Sequence, residues 1–157
     1  MKKKYLILGG LVLGALALAK KYTNFVDKLS FRIKKAKVKL PFPYTTAQII
    51  LTCEIDNPSS TSATLHGLTG DLSVKGKQIA TIFANGFTLK QGKNEFEATA
   101  NFSMQNLENV LDLEFDFDTF SSVYNQLIKT QMVSDITYRT SLGNFNSKDT
   151  WTLQDLL

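Results

Sequence analysis

From Ile49 onward the sequence alternates apolar and polar residues in short runs divided by turn-forming residues, and this period of two restricts the chain to β-strands. Ile49, Leu51, Cys53 and Ile55 interleave with Ile50, Thr52 and Glu54, a strand with one apolar face and one mixed face. Asp56-Asn57-Pro58-Ser59 ends it in a turn. Leu68, Leu72 and Val74 supply the next strand, and Lys75-Gly76-Lys77 reads as a hairpin turn. Ile79 to Phe87 is its partner, followed by a turn at Gln91-Gly92-Lys93-Asn94. Phe96, Ala98, Ala100 and Phe102 then point inward, while Glu95, Glu97, Thr99 and Asn101 face water. One stretch changes period: Asp118 suits an N-cap, and Phe117, Phe120, Tyr124, Leu127 and Ile128 recur at helical spacing. Ile136, Tyr138, Thr140 and Leu142 return to period two, Gly143-Asn144 turns the chain, and Thr150-Trp151-Thr152-Leu153 closes the sheet. The expectation is a mainly β fold, an antiparallel β-sandwich with one or two short helices.

Ahead of this domain the composition changes abruptly. Residues 5–19, YLILGGLVLGALALA, hold no charged side chain and lie between Lys2-Lys3-Lys4 and Lys20-Lys21. As a helix these fifteen residues span about 22 Å against a hydrocarbon core of about 30 Å, a deficit that snorkelling lysines with Tyr5 and Tyr22 at the interfaces can cover. Ala17 and Ala19 also form the small-residue pattern of a cleaved signal peptide, although two lysines directly after the cleavage point disfavour processing. The expectation is a retained N-terminal hydrophobic helix, residues 1–26, whose anchor residues include Tyr5, Leu6, Gly10, Gly14 and Ala19. Gly10 and Gly14 make a G-x-x-x-G spacing that permits close helix pairing, though glycine tolerated in a lipid-facing helix is the better account of a single short match.

The net charge of +4 conceals an asymmetry. Residues 1–39 carry eleven Lys or Arg against the single acid Asp27, whereas residues 40–157 hold seven basic residues and thirteen acidic ones. The positive charge therefore belongs to the arm, next to where anionic head groups would lie. Lys4, Lys20, Lys21, Lys28, Lys34 and Lys35 are the candidate head-group contacts. Leu29, Phe31 and Ile33 alternate in one phase and Ala36, Val38 and Leu40 in the other, so Lys34-Lys35 marks a β-bulge between them. These lysines show no aromatic stacking platform, so nucleic acid is not an expected partner.

Residues 49–111 carry a more specific pattern: an apolar alternating strand ending in Asn-Pro (Ile55-Asp56-Asn57-Pro58), then Leu-x-Gly-Leu-x-x-x-Leu-x-Val-x-Gly from Leu65 through Gly76, then the strands from Ile79 to Phe102. This resembles the late embryogenesis abundant group 2 family, also called the water stress and hypersensitive response domain, with Asn57, Pro58, Gly67, Leu68 and Gly76 as its motif residues. The resemblance spans roughly residues 29–157. It implies an immunoglobulin-like or fibronectin-like β-sandwich over 27–157, often preceded by a signal or anchor. It also implies a non-enzymatic role in stress protection, membrane association or protein contact. The segment Asp112–Asp118 departs from the family pattern.

No catalytic constellation is visible. His66, the single histidine, reads as a polar turn residue, and Cys53, the single cysteine, as a small buried apolar residue. One Cys and one His cannot complete a zinc site, so no cofactor is expected, and no small-molecule substrate is indicated. Asp112, Glu114, Asp116 and Asp118 alternate as an acidic ladder, but without the glycine and closing glutamate of a calcium loop, and read as a solvated edge.

The expected protein is thus non-enzymatic: a single-pass, membrane-anchored module that binds, protects or scaffolds at a membrane surface, on a side the charge pattern leaves open. Its expected partners are the lipid membrane and other proteins of an assembly. Two other roles remain open. One is a structural component of a larger assembly, in a cell envelope or the membrane of a lipid-containing virion. The other is a secreted or periplasmic domain beginning at Lys20. Because the acidic ladder reads as solvated, added Ca²⁺ is expected to leave the melting temperature unchanged; a rise measured by calorimetry would make it a binding site.

Overall fold

A computed structural model describes residues 25–112 and 120–157. The expected anchor residues Tyr5, Leu6, Gly10, Gly14 and Ala19, the lysines 4, 20 and 21, the ladder residues Glu114, Asp116 and Asp118, and the Asp118 cap all lie outside the described residues. Among the described residues no helix is long and apolar enough to cross a membrane.

Seven strands form one antiparallel sheet: β1 (Ser30–Lys39), β2 (Thr46–Asn57), β3 (Ala63–Val74), β4 (Lys77–Leu89), β5 (Gly92–Ser103), β6 (Gln131–Thr140) and β7 (Gly143–Thr152), in the spatial order β1-β2-β5-β4-β3-β6-β7. Three short helices lie wholly among the described residues: α1 (Met104–Leu111), α2 (Phe120–Lys129) and α3 (Leu153–Leu156). The mainly β expectation holds. Two separated sheets are not what the strands form, however, because β4 and β5 join at Ile82–Ala100 and Phe83–Thr99. The single sheet curls until Phe31 on edge strand β1 packs on Tyr138 of β6, ring centroids 4.8 Å apart.

The alternation read from sequence sets the inner face. Ile49, Leu51, Cys53 and Ile55 of β2 are wholly buried, and so are Leu65, Leu72, Ile82, Ala98 and Ile136 from neighbouring strands. The bulge expected at Lys34-Lys35 is present: the β1–β2 register slips between Ile33 and Lys35, which keeps both Ile33 and Ala36 turned inward. At Lys75-Gly76 both residues have positive φ, 49° and 75°, the two-residue turn whose twist matches that of the strands it joins.

Several local expectations are corrected. The turn after β4 falls at Lys90-Gln91, with Gly92 already in β5, and the β6–β7 turn at Ser141-Leu142, with Gly143 already in β7. His66 is no turn residue: it lies inside β3 at an irregularity between Leu65 and Gly67 and is exposed. The positions of two helices were not anticipated. In α1, Met104 and Leu107 are fully buried and, with Val123 and Leu127 of α2, fill the core at one end of the curled sheet. In α3, Thr152 caps Asp155 N and the Asp155 carboxylate reaches back to Thr152 N, a reciprocal capping box.

Leu51 is fully enclosed where β1, β2 and β5 run side by side. Leu51→Ala is expected to lower stability by about 2–5 kcal/mol with the urea m-value unchanged. Equilibrium urea denaturation measures both.

Candidate functional site

The chain enters the domain at one end of the sheet. Phe25 is buried, Lys28 N donates to Phe25 O, and Leu29 N donates to Val26 O, so a tight turn delivers the chain into β1. The ladder pairs Ser30 with Asp56, Asn57 with Gly92, Ala63 with Leu89 and Thr140 with Gly143. The β2–β3, β4–β5 and β6–β7 connections therefore surround the entry point. The other end carries the β1–β2 and β3–β4 connections and helices α1 and α2.

Asn57 organises the entry end. Its buried side chain donates from Nδ2 to Thr61 O at 2.8 Å and Lys90 O at 3.3 Å, and its Oδ1 accepts from Ser59 N at 3.1 Å and Ser59 Oγ at 2.9 Å. One amide thus closes the β2–β3 loop and ties it to the β4–β5 connection, and Pro58 beside it is exposed. Gly67 has φ +143°, and a Cβ there would lie 3.2 Å from Ala84 O on β4. Leu68 is in the core and Gly76 makes the hairpin. Asn57, Gly67, Leu68 and Gly76 thus hold loops and packing in place.

The expected head-group lysines divide. Lys28 and Lys35 are exposed. Lys34 is committed to a pairing: its Nζ lies 2.7 Å from Glu95 Oε2 and 3.5 Å from Glu54 Oε2. Arg32 joins the same cluster through Nη2, 2.7 Å from Glu54 Oε1, and donates to that oxygen from Nε at 3.0 Å. Glu54 has only 7% of its side chain exposed. Burial by itself pushes its carboxyl up. The Arg32 guanidinium, by hydrogen bond and charge and with help from Lys93 and Lys34, outweighs burial and holds the group below its ordinary 4.5. The Glu95 carboxylate, by hydrogen bond and charge, holds the Lys34 ammonium above its ordinary 10.5.

Cys53 is sealed in the core, and burial pushes its thiol up to about 12, which leaves almost no thiolate at neutral pH. Tyr138 is also fully buried, and burial first, then Cys53 and Asp149, raises its phenol. Among the described residues no group of three His, Cys, Asp or Glu side chains converges as a metal site. Asp112, the described member of the acidic ladder, is the left-handed C-cap of α1 at φ 56°.

Sequence reasoning missed one surface feature. Phe42, Tyr44, Phe120 and Tyr124 form a row of rings with successive centroids 5.6, 5.6 and 5.3 Å apart. Phe42 is 83% exposed. The row joins the β1–β2 connection to α2, and nothing local to either segment announces the other. Beside it opens a depression of about 720 Å³ lined by Lys39, Pro41, Gln48 and Phe102.

No family model matches the chain, and neither does any curated protein. Among solved structures, the crystal structure of a protein from Archaeoglobus fulgidus is similar, with TM-score 0.50 and 14% identity over 78% of this chain and 97% of that one. The solution structure of a protein provisionally assigned as late embryogenesis abundant is similar at TM-score 0.40 and 12% identity, over 96% of this chain and 91% of its own. A β-glucuronidase from Parabacteroides merdae matches 80% of this chain with 14% of its own length, at TM-score 0.43 and 12% identity. At such identities the Archaeoglobus likeness concerns the fold alone.

The Glu54 cluster sets a pH dependence. Because its native pKa lies below the unfolded value, the stability it supplies is in full above pH 4.5 and drains as pH falls through the lower native value. Glu54→Gln is expected to flatten that acid limb in a series of melting curves; a limb identical to wild type would remove Glu54 from the account.

Proposed function

We propose that the protein is a non-enzymatic, membrane-anchored β-domain of the late embryogenesis abundant group 2 type. In this reading residues 1–26 hold residues 27–157 at a membrane surface, where the domain binds, protects or scaffolds. The observation that carries the reading is the short path from the uncharged run to the fold. The run ends at Ala19, and Phe25 is already part of the core. The five intervening residues reach at most about 18 Å when fully extended, so a membrane holding the run would hold the entry end close to its surface. That end presents Ser59, Ser60, Thr61, Ser62, Lys90 and Ser141, a polar and mildly basic rim suited to a head-group layer.

Two further points support the domain type. The β4–β5 seam is two residue pairs long and Phe31 meets Tyr138 across the interior, which favours β1-β2-β5 packing over β4-β3-β6-β7 as the halves of a sandwich. Asn57 and Gly67 occupy positions that need an amide in the loop and a glycine in the strand. A structural part for Cys53 fits its burial.

The deciding experiment is intact mass and membrane partitioning of the full chain from its native source. The expected result is an uncut 17.5 kDa chain that resists alkaline washing and needs detergent for release. A soluble chain beginning at Lys20 would overturn the anchor.

A further inference from the structure

Strand β1 is an edge strand whose outward charges fall into two groups at the bulge. On the entry side, Arg32 and Lys34 are neutralised by Glu54 and Glu95. Beyond it, Lys35, Lys37 and Lys39 stand exposed, opposite Thr52, Ile50 and Gln48 on β2, none of which carries charge. No ion pair engages these three among the described residues. The row leads directly into Pro41 and Phe42, where an apolar ring is left 83% in water with Tyr44 edge-on against it.

A row of unpaired lysines along a free edge guards a sheet against pairing with another sheet, and that function needs nothing more. It does not account for Phe42, since a large exposed ring at the end of the row works against solubility. Lysines leading to an exposed aromatic are instead the combination that an anionic bilayer surface recognises: the charges attract at the head groups and the ring enters the interface. The spacing decides the posture. Ser30 to Lys39 spans about 30 Å of strand, while surface potential decays over about 8 Å at physiological salt. In a domain standing upright on its entry end, Lys37, Lys39 and Phe42 would lie outside the reach of the membrane.

We propose that the domain lies along the membrane, with the outer side of the β1 edge, Lys35, Lys37 and Lys39, on anionic head groups and Phe42 in the interface. This makes a second attachment about 30 Å from the first. The inference rests on the anchored reading above and adds an orientation and a lipid class to it. Each lysine near a charged surface contributes about a fivefold preference, so the three together favour this posture by about two orders of magnitude on anionic lipid.

The test uses the full chain with Phe42→Trp, reconstituted in vesicles of phosphatidylcholine alone or with phosphatidylserine, each carrying brominated acyl chains as quencher. The unsubstituted chain, whose single tryptophan Trp151 is buried, sets the background. The expected result is quenching above background in the phosphatidylserine vesicles, lost in molar salt and lost when Lys35, Lys37 and Lys39 are all replaced by Gln. A chain that floats with the vesicles but shows no quenching above background overturns the lying posture and leaves the anchor standing. Quenching that survives the triple replacement overturns the assignment to β1. A chain that floats with neither vesicle overturns both readings.

Discussion

Every other element takes its position from the register of β2. It pairs with β1 on one side and with β5 on the other, and its inward row of Ile49, Leu51, Cys53 and Ile55 is closed to solvent. A slip of one residue would turn that row to water and drive Thr52 and Glu54 into the core. Each large apolar side chain so exposed forfeits about 1.5–3 kcal/mol of burial, so the slipped register cannot compete. The same alternation places Glu54 on the outer face, where it can be met by Arg32 and Lys34, and delivers Asn57 to the end of the strand, where one amide ties together two loops.

The bulge in β1 is the second constraint. An uninterrupted strand would carry either Phe31 and Ile33 or Ala36 and Val38 to the wrong face. The extra residue at Lys34 returns both pairs to the interior and presents Lys34 and Lys35 together on the outside. The edge then changes character along its length, compensated by two glutamates near the chain entry and uncompensated beyond. The bulge does not require that division. It arises because β2 and β5 place Glu54 and Glu95 opposite the first half only.

Legibility followed the length and purity of each local pattern. The inner faces of β2 and β5, the bulge and the inward-facing Cys53 could be read directly, because a strict period of two sustained over a whole strand suits a half-buried strand and no helix. The helix over Phe120–Lys129 was visible for the same reason at its own period. The preceding α1 was not, since Met104 and Leu107 continue without a break from the strand that ends in Phe102 and Ser103, and Ser103 makes no side-chain cap to mark the change. Thr152 and Asp155 did carry a capping signature, but a four-residue helix at the end of a strand run is too short for periodicity to reveal. Turn positions moved by about two residues at Gln91 and Gly143 because glycine supplied the positive φ on the strand side of the turn.

The sequence by itself determined which segments are strands, which of their faces are apolar, where β1 must bulge, and that positive charge is gathered in the first 39 residues. All of these are properties of near neighbours in the chain, written in spacing and composition. The tertiary structure alone decided that β5 lies between β2 and β4, that β3 joins β6, and that the sheet curls until Phe31 meets Tyr138. It also decided that Lys34 meets Glu95 across 61 positions of sequence, and that Phe42 and Tyr44 share one aromatic row with Phe120 and Tyr124. A strand presents the same alternation whichever neighbour it pairs with. The choice of neighbour, and every charge pair or ring contact that follows from it, comes from how the whole apolar surface can be closed at once.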